Sequence, residues 1–238
     1  MTTRDVTLTT PDGPMRAFEA VPGGDARTGV IVIPEAFGLN DHIESICERL
    51  ASAGHLAVGL DIFHRSGGGT APYGDFSKVL PLFEGLTDDG LLQDIDAARD
   101  HLRGAGIDDA HTGIVGFCFG GRTTFLAALR RPLGASVGFY GGGIVTGRFP
   151  QFPPLVGEVA GLQAPWLGLF GDADESIPVA DVEALRAELD ARTSVAHEIL
   201  RYPGAQHGFH CDQRPSYHPE AAADAWARTL NWFATHIG

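Results

Sequence analysis

The chain has 238 residues, enough for one large folded domain with a full core. Hydrophobic residues make up 44% of it and charged residues 20%, a globular balance that excludes a disordered chain. The net charge of −13 argues against nucleic acid and anionic membranes as partners, since both select Lys and Arg, and it obliges any anionic substrate to find a local basic pocket.

The three cysteines, Cys47, Cys118 and Cys211, are too few and too odd in number for a disulfide framework. No apolar signal region precedes the first strand pattern, and no apolar run approaches the ~20 residues needed to span a bilayer. The expectation is a cytoplasmic protein without a membrane partner. No repeat or low-complexity tract is visible.

In chain order, Val6–Leu8 and Met15–Phe18 alternate apolar with polar across the turn residues Pro11-Asp-Gly-Pro14, which predicts an antiparallel hairpin. Gly29–Ile33 is an unbroken β-branched run, the pattern of a central parallel strand covered on both faces. A helix follows Pro34–Asn40. Asp41 and Glu44 fit a capping box, and Ile43, Ile46, Cys47 and Leu50 recur at helical spacing. Cys47 is therefore expected in the core, without chemistry. His55–Leu60 is the next strand, and Asp61 to about Leu82 reads as a long loop containing Gly67-Gly-Gly69. Loops this long are more often functional than idle. Leu91, Ile95, Ala98 and Leu102 mark another helix.

Gly113-Ile-Val-Gly-Phe-Cys118-Phe-Gly-Gly121 follows. Ile114–Phe117 reads as a buried strand running into Cys118, with a helix through Thr123 to Arg130. This is a G-x-C-x-G nucleophile elbow, in which a sharp strand-to-helix turn forces the corner residue into a strained conformation. Gly116 and Gly120 remove side chains that would collide there. Cys118 stands at a helix N-terminus, where the dipole and free N–H groups favour a thiolate. A buried, inert cysteine in a glycine-rich turn would show the same short pattern.

Ala135–Phe139 and Pro165–Phe170 are further strands, separated by a Gly/Pro-rich stretch from Gly141 to about Pro154. Val179–Ala191 is helical, Ala196–Leu200 is the last strand, and a helix opening near Pro219 carries Ala222, Trp226, Leu230 and Phe233 in register. Alternating strands and helices after a hairpin predict a single domain, residues 1–238, with a mostly parallel α/β sheet and helices on both faces. Sites in such sheets lie beyond the C-terminal ends of the strands.

Two such ends carry chemistry: Gly171-Asp172-Ala-Asp174-Glu-Ser-Ile-Pro178 and Gly204-Ala-Gln-His207-Gly-Phe209. Nucleophile, acid, histidine is the chain order of the α/β-hydrolase fold. A histidine in reach takes the thiol proton and returns it to the leaving group, and a carboxylate on its far nitrogen fixes the tautomer. Asp172 and Asp174 compete for the acid, each equally able to cap the following helix, and Asp174 is favoured. His210 and His218 are weaker rivals of His207. His207-x-x-His210-Cys211 has part of a zinc spacing, but no second ligand pair stands near it, so no metal is expected.

Together with Val32-Ile-Pro-Glu35-Ala-Phe-Gly-Leu-Asn40 and Phe139-Tyr-Gly-Gly-Gly143, these segments resemble the dienelactone hydrolase family from about residue 5 to residue 235. The resemblance implies the α/β-hydrolase fold and a Cys–His–Asp triad at Cys118, His207 and Asp174. It further implies that Glu35 interacts with the thiol and helps to deprotonate it once substrate binds, and that the N–H groups of Ala36 and Phe119 form the oxyanion hole. A carboxylate disfavours a neighbouring thiolate by like-charge repulsion, so the nucleophile would be guarded.

Members acting on dienelactone hold its carboxylate with arginines. Here the position four residues after His207 is Cys211, with Arg214 further along, and the loop after the fourth strand offers Arg65 and Lys78. These three and Tyr73 and Tyr140 are the substrate-binding candidates, and Phe76 and Phe149 are further apolar ones. The expected function is a cysteine-dependent hydrolase of an enol-lactone or activated ester, without a cofactor, monomeric or weakly homo-oligomeric. Alternatives are a thioesterase or general carboxylesterase on the same triad, and a non-catalytic binding or redox-sensor protein of the same fold.

Overall fold

The computed structural model describes residues 1–238. The hairpin pairs β1 (Thr2–Thr10) with β2 (Gly13–Val21) in the register Thr10↔Gly13, so Pro11 and Asp12 form the turn. Met15 and Ala17 face inward while Arg16 stays exposed between them, as the alternation requires. Five strands are buried at every residue: β3 (Gly29–Ile33), β4 (Leu56–Leu60), β5 (Thr112–Phe117), β6 (Ala135–Phe139) and β7 (Trp166–Gly171). This is why they read as continuous apolar runs. The edge strand β8 (His197–Tyr202) is only half-buried and more polar.

The eight strands form one sheet in the order β1-β2-β4-β3-β5-β6-β7-β8, parallel from β4 to β8 with the hairpin added antiparallel at β2. The order reverses between β3 and β5, whose C-terminal ends lie side by side with Ile33 opposite Gly116. That reversal opens a crevice at the ends of the two strands that lead into Glu35 and Cys118. This is the α/β-hydrolase fold.

Helices cover both faces. α1 (Asp41–Ser52) and α6 (Pro219–His236) lie together, with the Arg49 guanidinium 3.9 Å over the Trp226 ring. α3 (Asp88–Gly104) and α4 (Phe119–Arg130) pack on each other, and α5 (Val179–Arg192) lies against β8. Gly29 and Gly113 show how tightly the layers meet, since a Cβ would fall 2.7 Å from Leu102 of α3 at one and 2.8 Å from Phe233 of α6 at the other. Cys47 is fully buried on α1 as expected, and burial pushes its thiol far above the usual range.

Two expectations are corrected. The cap of α1 is Asn40, whose side chain accepts from the Ile43 N–H at 3.2 Å, and Asp41 falls inside the first turn, where its charge faces the helix dipole. The Asp61–Leu82 segment is not a plain loop. It holds a 3-10 turn (His64–Ser66) and a short helix, α2 (Phe76–Phe83), which buries only Val79 and Phe83 and contains Pro81. Two inward residues over eight give no helical periodicity to read. No helix is long and apolar enough to cross a membrane.

Candidate active site

Cys118 sits between β5 and α4 with φ 55° and ψ −114°, half-buried. Its N–H donates to the Phe139 carbonyl at 3.0 Å, which locks the turn onto β6. A Cβ on Gly116 would lie 2.2 Å from the Gly120 carbonyl oxygen, and one on Gly120 would lie 2.4 Å from Ile33 O and 2.6 Å from Pro34 O. The glycines thus do more than permit a turn. They let the start of α4 rest against the end of β3, which brings Ala36 beside Phe119 around one cavity. The Ala36 N–H has no acceptor in the chain, and the Phe119 N–H opens a helix where no intrahelical acceptor exists. Both donors are available to a developing oxyanion.

After β7, Asp174 is 4% exposed and accepts a 2.7 Å hydrogen bond from His207 Nδ1. Its other oxygen accepts from the Ser176 N–H at 2.8 Å and the Ser176 hydroxyl at 2.5 Å. Ser176 was missed in the sequence, although an Asp followed two residues later by Ser at a strand end is a recognisable side-chain turn. Asp172 points elsewhere, accepting from Arg201 Nε at 2.7 Å, so geometry separates two carboxylates that spacing could not. Burial pushes the Asp174 carboxyl upward, but the His207 and Ser176 hydrogen bonds outweigh it and hold the group below its usual range.

His207 is similarly contested. Burial lowers its pKa, whereas the Cys118 charge, hydrogen bonds to Asp174 and Cys118, and the Asp174 charge raise it to about 10. With Nδ1 given to Asp174, Nε2 is the nitrogen left for the thiol. The rivals lie elsewhere. His210 is buried and stacked 5.3 Å from Phe117, and His218 caps α6 by accepting from the Ala221 N–H. His207 and His210 therefore diverge and do not form a ligand pair.

Glu35 is 1% exposed at the end of β3, far from a surface carboxylate. Its Oε1 accepts from Arg214 Nη1 at 3.1 Å, and its Oε2 has no partner. No hydrogen bond joins Glu35 to Cys118, and Arg214 is its partner here. Burial opposes the Arg214 charge, but Glu35, with Tyr140 and Cys118, outweighs it and raises the guanidinium pKa above its usual value. Arg214 reaches the site because Gly208, at φ 78°, has no side chain, and a Cβ there would lie 2.3 Å from Arg214 Nη1. Arg214 also lies 5.7 Å from the Phe37 ring and 5.9 Å from that of Tyr73.

The remaining candidates separate by location. Arg214 and Tyr73 line a polar cavity with Asp174 and His207, and the Tyr73 hydroxyl accepts from Asn40 at 3.0 Å. Phe76 and Phe149 rim a second, apolar cavity that also holds Cys118, Phe83, Phe119 and Phe152. Arg65, by contrast, is spent on structure: it binds Asp94 at 2.7 and 2.9 Å and Asp12 at 2.6 Å. Lys78 lies exposed on α2 and lines neither cavity. Tyr140 is completely buried, its ring 5.2 Å from His207, so it packs beneath the histidine rather than facing substrate. Arg148 was missed. It packs on Gly142, donates to the Ser176 carbonyl and lines the apolar cavity. Nothing in its Gly/Pro-rich context marks it in the sequence.

The chain matches the dienelactone hydrolase family over residues 15–237. A Yersinia pestis protein provisionally named carboxymethylenebutenolidase is 38% identical, over 98% of this chain and 88% of its own length. A Bradyrhizobium protein provisionally named 2-oxo-3-(5-oxofuran-2-ylidene)propanoate lactonase is 36% identical, over 87% of this chain and 84% of its own. Among solved structures, a provisionally named dienelactone hydrolase from Klebsiella pneumoniae superposes with a TM-score of 0.89 at 36% identity, covering 98% of each chain. A dienelactone hydrolase-like promiscuous phosphotriesterase from metagenomic libraries gives 0.81 at 26% identity, over 100% of this chain and 99% of its own. This chain belongs to the dienelactone hydrolase family.

Proposed function

We propose that the protein is a hydrolase of enol-lactones or activated esters that works through a Cys118 thioester. The observation that carries this reading is the 2.7 Å bond from His207 Nδ1 to Asp174, with the charge of Cys118, held at a strained elbow, acting on the same histidine.

The chemistry follows from the atoms. His207 Nε2 takes the Cys118 proton, and Asp174 stabilises the imidazolium and holds its tautomer. The thiolate attacks the carbonyl carbon, and the oxyanion meets the N–H groups of Ala36 and Phe119, each contributing roughly 3–4 kcal/mol to the transition state. The tetrahedral intermediate collapses, the C–O bond breaks, and the leaving oxygen takes the proton from Nε2. Water then gives a proton to Nε2 and attacks the thioester, freeing the acid and restoring the thiol. A thiolate leaves more readily than a simple alkoxide, so enol and aryl leaving groups suit this nucleophile better than unactivated ones.

Arg214 and Glu35 border the polar side of the site, and the phenylalanine-rimmed cavity borders the other. A substrate with a polar or anionic end toward Arg214 and an apolar end toward Phe76 and Phe149 fits that division. The apolar cavity also gives the thioesterase or aryl-esterase reading its support. The protein is read as acting on a small molecule without a cofactor, as a monomer or weak homo-oligomer.

The test is turnover of an enol-lactone, an aryl ester and an acyl thioester by wild type and Cys118→Ala. Loss on all three, with acyl-enzyme trapped by mass spectrometry in the wild type, supports the reading. Activity retained in Cys118→Ala on any of them overturns it, and preference among the three separates lactonase from thioesterase.

A further inference from the structure

On the other side of the His207–Cys211 loop lies a second polar cavity that the proposed chemistry does not use. It is lined by His42, Ser45 and Arg49 of α1, His210 and Asp212 of the loop, and Tyr217. His42 is 2% exposed, yet neither of its ring nitrogens has a hydrogen-bond partner. His210 is equally buried, and its Nδ1 also lacks a partner. Buried polar atoms left unpaired cost about 1–3 kcal/mol each, so two such histidines side by side require an explanation.

The neighbouring residues supply one. His42, Cys211 and Asp212 each offer a donor atom, and the three donors all lie within 4.8 Å of one another. His42 Nδ1 is 3.4 Å from Asp212 Oδ1. Two ligands bound at ordinary Zn–N and Zn–O distances on a tetrahedral ion stand about 3.3 Å apart, so this spacing needs almost no adjustment. We propose that His42, Cys211 and Asp212 form a binding site for a borderline transition-metal dication such as Zn2+ or Co2+, with the fourth position open to water.

The donor set selects the ion. A thiolate sulfur and an imidazole exclude Mg2+ and Ca2+, which demand oxygen. Binding releases the Cys211 thiol proton to solvent, and a dication with one thiolate, one carboxylate and a neutral imidazole makes a group of zero net charge, suited to burial. Two cations oppose the site, Arg49 at His42 and Arg214 at Cys211, and Arg214 is paired with Glu35. Arg49 lies 3.5 Å from His210 Nε2 and is stacked over Trp226. Glu35 adds negative potential at both His42 and Cys211, which offsets Arg49. Sequence spacing pairs Cys211 with His207 and His210, but the tertiary structure pairs it with a histidine at the start of α1.

The experiment is a titration of chelator-treated Cys118→Ala protein with Co2+, which removes the elbow thiol from consideration. The expected result is one equivalent bound with a thiolate-to-cobalt charge-transfer band, displaced by Zn2+. Affinity should fall more than about tenfold in Asp212→Ala and His42→Gln, and the band should vanish in Cys211→Ser. Because Asp212 is exposed, its variant keeps the test valid even if a buried substitution fails to fold. Absence of the band in folded Cys118→Ala protein, or binding unchanged by Asp212→Ala and His42→Gln, overturns the site and leaves the cavity to water. The readout is spectroscopic and stands independently of any hydrolase activity.

Discussion

His207 and His210 lie three residues apart in one loop and have opposite electrostatic lives. His207 meets a carboxylate and a thiol, which outweigh its burial and raise its pKa to about 10. His210 is packed among Phe117, Phe139 and Trp226 with Arg49 beside it, and burial and that cation drive its pKa well below the usual range. The residue type is the same, although His207 is half-buried and His210 fully buried. What reverses the sign is the partner, since burial lowers both, and partners are set by which strand ends and helices the loop happens to face. The pH consequences are opposite in sign. His207, with a raised folded pKa, contributes stability that is full below its unfolded value of ~6.5 and is lost as pH rises through about 10. His210, with a lowered folded pKa, contributes stability that is full above ~6.5 and is lost as pH falls below it, because only the unfolded chain then takes up the proton.

The largest effect expected from breaking this contrast is Cys118→Ala. It should lower kcat by about 10⁴ or more and, by removing the thiol charge, drop the His207 pKa from about 10 in an NMR titration of the ring. An unmoved His207 pKa would show that Asp174 alone sustains it. Asp174→Asn should lower kcat by roughly 10³–10⁴ with little loss of fold, because the amide forces the wrong imidazole tautomer. A loss of only a few-fold would return the acid role to another group.

Arg65→Ala tests the contrast between structural and site cations. Asp94 is fully buried and would lose its guanidinium partner, so denaturant titration should show about 3 kcal/mol of destabilisation while KM stays constant. A selective rise in KM with intact stability would put Arg65 back at the substrate. His210→Phe should leave stability at pH 8 nearly unchanged and flatten its decline between pH 6.5 and pH 5, measured by thermal melts across pH. An acid limb as steep as that of the wild type would move that role to His42, whose pKa burial also lowers. The smallest effect expected is at Lys78, which is exposed on α2: Lys78→Ala should change neither Tm nor KM beyond error.

Local chemistry made much of this protein readable without coordinates. Buried parallel strands must be apolar throughout, so β3 and β5 to β7 stand out as runs. An elbow needs Gly116 and Gly120 because backbone carbonyls occupy the space of their side chains, so Cys118 announces itself. The same strand periodicity places a nucleophile after β5, an acid after β7 and a histidine after β8. Where the pattern is weak the sequence resembles a loop: α2 buries two residues and contains a proline.

What depended on the tertiary structure is the choice among equivalents. Asp172 and Asp174 are both carboxylates after β7, and only the path of β8 assigns Arg201 to one and His207 to the other. Arg65, Lys78 and Arg214 are all cations in loops, and only packing directs Arg65 to Asp94, leaves Lys78 in solvent and threads Arg214 past Gly208 to Glu35. Cys211 meets His42 across most of the chain's length. Local geometry is dictated by neighbours in sequence and is written there. Charge pairing and metal-ligand spacing depend on distances between residues far apart along the chain, and those distances exist only once the sheet and its helices have assembled.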